Sequence, residues 1–128
     1  MSKELINIIW SSMEMMEEYF HKMGGSGRYP LFEPMDIPIT VIVIITVRFF
    51  PNLESKIVRF VPEDMFNESY GFITDIKKSL DSIKHLQNIA TIETIMDFMN
   101  WIEKQKEFHS SYRWIELKQC IATANIFT

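Results

Sequence analysis

The chain has 128 residues, a formal net charge of −4 at pH 7, and 47% hydrophobic and 13% aromatic residues. That length supports one domain, residues 1–128, with a proper core, and so many apolar residues at so modest a charge exclude low-complexity disorder. Four Gly, five Pro and one Cys exclude collagen-like and disulfide-stapled classes, and the acidic balance argues against a broad nucleic-acid face.

Nineteen Ile against three Ala fit an AT-rich genome, as in many viruses, plasmids and bacteria. The start Met1-Ser2-Lys3-Glu4 meets an acid at once and leads into no apolar signal stretch. The most apolar run, Ile39 to Val47, is far shorter than the roughly 20 residues a spanning helix needs. The expected location is cytoplasmic, with no membrane partner.

Residues 3–23 are predicted as an amphipathic helix, because Leu5, Ile9, Met13, Met16, Phe20 and Met23 recur at three- and four-residue spacing. Gly24-Gly25 supplies its stop. Residues 24–38, with three Gly and three Pro after position 23, are predicted as a long loop. Residues 39–50 and 56–61 then read as a β-hairpin. The odd positions from Ile39 to Phe49 are uniformly apolar, while the even positions from Thr40 to Phe50 are mixed. Matching the dry faces pairs Phe49 with Val58 and Val47 with Phe60, with a turn at Asn52–Ser55. That register sets Arg48 directly opposite Arg59.

Two helices follow, at about 68–87 and 92–107. Asn67 or Ser69 is a candidate cap for the first, and Thr91 for the second. Residues 87–90 are either a break or part of one bent helix. Residues 111–127 fit either state. Ile115, Leu117 and Ile121 suit a strand, and Trp114, Leu117 and Ile121 a helix; the strand is favoured because a lone hairpin needs a third strand or a helix to cover it. The expected fold is therefore α+β: two layers, an antiparallel sheet of at least three strands covered by helices, in the order α-β-β-α-α-β.

No phosphate loop, GxGxxG, GxSxG, paired Cys or HExxH occurs. His21, His85 and His109 fall near predicted helix C-termini, where the dipole favours a cation. Cys120 reads as core rather than as a nucleophile served by one of them, and Asp64, Glu68, Asp75, Glu93 and Asp97 follow no nameable metal spacing. The expectation is a non-enzyme with no metal and no cofactor. Gly24-Gly25-Ser26-Gly27-Arg28-Tyr29 has the composition of an anion cradle, but it leaves a helix C-terminus, where the dipole has the wrong sign.

Charge distribution is the most informative feature. Residues 1–36 and 62–107 sum to −3 and −4, and residues 37–61 and 108–128 to +2 and +1, which suggests an acidic helical layer on a basic sheet. Opposed arginines destabilise a sheet unless neutralised. The candidates are a helix carboxylate or Glu116 internally, or an acidic group on a partner or a nucleic-acid phosphate.

The expected function is a small acidic protein-binding inhibitor, of the toxin-immunity or phage anti-defence type. It would cover the active surface of another protein, such as a nuclease-like toxin or defence protein. Glu14, Glu17, Glu18, Asp75, Asp81, Asp97, Glu103 and Glu107 form the candidate face; Arg48, Arg59, Arg28 and Tyr29 are candidate anion or partner contacts. Two alternatives stand beside it. One is a homo-oligomeric structural or assembly protein, for instance a homodimer, using the hairpin edge or sheet face. The other is a small ligand-binding module or enzyme built around the 24–38 loop.

Overall fold

The computed structural model describes residues 3–24, 35–63, 72–82, 91–106 and 111–127, with side chains described for all of these except 19–24, 72, 106 and 125–127. Every regular element among them is helical, so the expected α+β fold, with its antiparallel sheet, is overturned. The order is α1 (Lys3–Gly24), α2 (Asp36–Phe49), a 3-10 turn (Pro51–Leu53), α3 (Glu54–Ile57), a second 3-10 turn (Val58–Phe60), α4 (Phe72–Ser82), α5 (Ile92–Lys106) and α6 (Tyr112–Phe127).

The correction centres on α2. The run expected as the first strand is a helix in which every residue from Asp36 to Thr46 is buried. Its odd–even pattern was uninformative because no side of it faces water. A segment enclosed on all sides shows neither the 3.6-residue nor the two-residue period, and a short apolar run cannot be assigned from pattern alone. Pro38, expected to close the loop, sits inside the first turn of α2, where no intrahelical N–H is required of it. The helix therefore begins at Asp36, and residues 36–38 are not loop.

Two prolines then stop the chain from continuing straight. Phe50, before Pro51, leaves the helical region at φ −132°, ψ 72°, although its N–H still reaches Thr46 O at 2.7 Å. Val61, before Pro62, is extended at φ −96°, ψ 130°. Both follow from the clash of a proline ring with a helical preceding residue. The expected second strand, 56–61, is instead the end of α3 and a 3-10 turn, with Ile57 and Phe60 turned into the core. With no hairpin to complete, the reason for a third strand disappears, and 111–127 takes its helical alternative. Trp114, Leu117, Ile121 and Ala124 point inward at three- and four-residue spacing.

One contiguous cluster of buried side chains draws on all six helices, with α2 at its centre. α1 packs on α2 and α4, α5 on α2 and α6, and α6 also closes on α3. Arg113 at the start of α6 ties these parts together. It reaches Asp36 Oδ1 at 2.6 Å and Phe60 O at 2.7 Å, so α6, the first turn of α2 and the second 3-10 turn meet at one guanidinium.

No helix among the described residues is long and apolar enough to cross a membrane. The candidate caps Asn67 and Ser69, and the break at 87–90, lie outside the described residues. Thr91 does cap α5: its Oγ1 accepts the Thr94 N–H at 3.1 Å.

Candidate functional site

α1 and α5 meet through two aromatic side chains. The rings of Trp10 and Trp101 stand edge to face, centroids 5.7 Å apart and planes at 71°, the arrangement the ring quadrupoles favour. Both residues are half-buried. Trp10 follows the core residue Ile9 by one position, so it lies at the border of the apolar stripe rather than within it.

Glu14 and Glu17 come four and seven residues after Trp10, which places them on the tryptophan's side of α1. Asp97 precedes Trp101 by four on α5. These three, with Glu4, Glu18 and Glu93, are exposed; the exposed bases among the described side chains of the two helices are Lys3 and Lys104. A seam of two half-buried indoles thus runs between helix faces of predominantly negative charge.

The remaining predicted residues separate from this face. Asp75 is exposed on α4 among Lys77 and Lys78, so no acidic field builds there. Asp81, also on α4, takes the Arg48 guanidinium. Glu103 is half-buried and structural: its Oε1 accepts Trp114 Nε1 at 2.8 Å and Lys118 Nζ at 2.9 Å, fastening α6 to α5. Glu107, Arg28 and Tyr29 lie outside the described residues, as does most of the 24–38 loop. Sequence reasoning passed over Trp10 and Trp101, and weighed Glu93 only as a metal-ligand candidate. The available signal was a tryptophan beside, rather than on, an apolar stripe.

The two arginines do not face each other, because no strands pair. Arg48 closes the last turn of α2 and meets Asp81. Arg59 meets Glu116 of α6 at 3.2 Å, lies over the Phe60 ring, and sends the same Nη2 to Cys120 Sγ at 3.6 Å. The expected division into an acidic helical layer and a basic sheet layer goes with the sheet. Among the described residues no cluster of His, Cys, Asp and Glu could hold a metal. The three histidine side chains lie outside the described ones, as does any pairing of them with Cys120.

A separate concavity of about 330 Å³ opens where the end of α2, the 51–58 segment and α4 come together. Among the described residues, Val43, Ile44, Val47, Pro51 and Val58 line it, together with Arg48, Glu54, Lys77 and Asp81.

No protein-family model matches this chain, no curated protein matches it, and no solved structure matches it. Its described residues define a small helical protein carrying an acidic face centred on tryptophan.

Proposed function

We propose that the protein acts by binding another protein, laying the α1–α5 face on a basic surface of its partner and so covering it. The observation that carries this reading is the Trp10–Trp101 seam with Glu14, Glu17 and Asp97 beside it. Tryptophans at the edge of a packed seam supply large, rigid contact area, and they dominate binding energy out of proportion to their number. The surrounding carboxylates attract a cationic surface over about one Debye length (~8–10 Å at moderate salt), which speeds encounter and disfavours acidic partners. A nuclease-like toxin or a defence protein with a basic nucleic-acid channel has the complementary chemistry, and occupying that channel inhibits it.

The test compares the native chain with the variant Glu14→Lys/Glu17→Lys/Asp97→Lys, each immobilised and exposed to extract of the source cell. A basic protein retained by the native chain and released by added salt is expected. Its association with the variant should be at least about tenfold slower at low ionic strength. Equal retention by both chains, with unchanged far-ultraviolet circular dichroism, would overturn the assignment.

A further inference from the structure

We propose that the concavity between α2, the 51–58 segment and α4 binds a small aliphatic monocarboxylate. Its floor is apolar. Val43 and Ile44 are core residues whose outer edges reach it, and Val47, Pro51 and Val58 expose more of their surface there. A volume of about 330 Å³ lies at the small end of ligand sites. It suits a single short hydrocarbon chain rather than a fused ring system.

The wall supplies the headgroup chemistry. Arg48 has 32% of its side chain exposed and bonds Asp81 through Nη2. Its Nη1 and Nε make no hydrogen bond with a described residue, so part of a planar donor fork remains open to a carboxylate. Asp81 itself is 62% exposed and is readily displaced into water. Lys77, four residues earlier on the same exposed side of α4, makes no ion pair with a described residue and brings a second cation to the wall.

The same wall limits the charge of the occupant. Glu54 and Asp81 share it with the two cations, and the carboxyl end of α2 adds a partial negative charge. A dianion such as phosphate meets two carboxylates and little apolar contact, whereas a monocarboxylate with an aliphatic tail matches both floor and wall. None of the residues of the α1–α5 face takes part, so this site and the protein-binding face stand or fall separately.

Decanoate, kept below its micellar concentration, is the probe, and methyl resonances of the full chain are the readout. Saturable shifts are expected at Val43, Ile44, Val47 and Val58, with Arg48→Met weakening the affinity about tenfold, as loss of a charge-assisted hydrogen bond implies. Lys77→Gln is an exposed substitution that leaves the core untouched; it should weaken binding severalfold and decides the matter if Arg48→Met fails to fold. Decanol should bind more weakly than decanoate. Absence of saturable binding, shifts centred on other methyls, equal affinity for decanol, or an unaffected Lys77→Gln variant would each overturn the site.

Discussion

Thr40 and Thr46 are both fully enclosed within α2, and neither hydroxyl finds a hydrogen-bond partner among the described residues. A hydroxyl buried without a partner costs about 1–3 kcal/mol, and a methyl of the same shape removes that cost without opening a cavity. Thr40→Val and Thr46→Val should therefore each raise stability by about 1 kcal/mol, read as a higher urea midpoint at unchanged slope; a lower midpoint would show that the hydroxyls are bonded. Arg113 is the opposite case. Its partner Asp36 has only 3% of its side chain exposed, and the same guanidinium also holds Phe60 O. Arg113→Ala should cost about 2–4 kcal/mol, since the buried Asp36 carboxylate loses this guanidinium and Phe60 O loses its donor. Arg113→Lys should recover little, because one ammonium does not reproduce the fork. A fully stable lysine variant would reduce the clamp to simple charge.

At the scale of elements, α2 sets propensity against burial. From Ile37 to Val47 every residue except Pro38 is β-branched, a handicap of about 0.5 kcal/mol per residue in a helix. Fully burying an Ile or Val side chain yields about 1.5–3 kcal/mol, so enclosure by the surrounding helices outweighs the handicap several times over. Take the enclosure away and the balance reverses. A peptide of residues 36–50 should show no helix in water and should assemble into β-rich aggregates, because 39–47 carries neither charge nor proline. Circular dichroism and a dye-binding assay check this; a helical, monomeric peptide would contradict it. α6 differs in kind. Its buried side chains have helical spacing in the sequence itself, and only the expected hairpin, with its need for a third strand or a covering helix, favours a strand there.

At the scale of the whole molecule, net charge and charge placement make different predictions. Glu14→Lys and Asp75→Lys each raise the formal net charge from −4 by two, but Glu14 lies beside the tryptophan seam and Asp75 among lysines on α4. Association with a basic partner at low salt should slow several-fold in the first variant and stay within about twofold of native in the second, since screening confines the field to its neighbourhood. Equal slowing would mean that total charge alone steers the encounter. α2 touches α1, α4, α5 and the 3-10 turns, so the spacing of the outer faces is set by one buried rod.

What the chain's own pattern determined is the set of helices that keep one face in water. α1, α4 and α5 were legible from the spacing of residues such as Leu5, Ile9, Ile76, Leu80, Ile95 and Ile102, and the start of α5 from Thr91, because partition between water and core imprints a helical period on the sequence. The exposure of Glu14, Glu17, Glu18 and Asp97 was legible in the same way, as the wet side of those helices, whereas the structural role of Glu103 was not. Only the tertiary structure decided the state of α2, the partners of Arg48 and Arg59, and the meeting of Trp10 with Trp101. Those depend on what lies across from each residue. A helix enclosed on all sides has no wet face to leave its period behind, and contacts between distant segments leave no trace in local spacing.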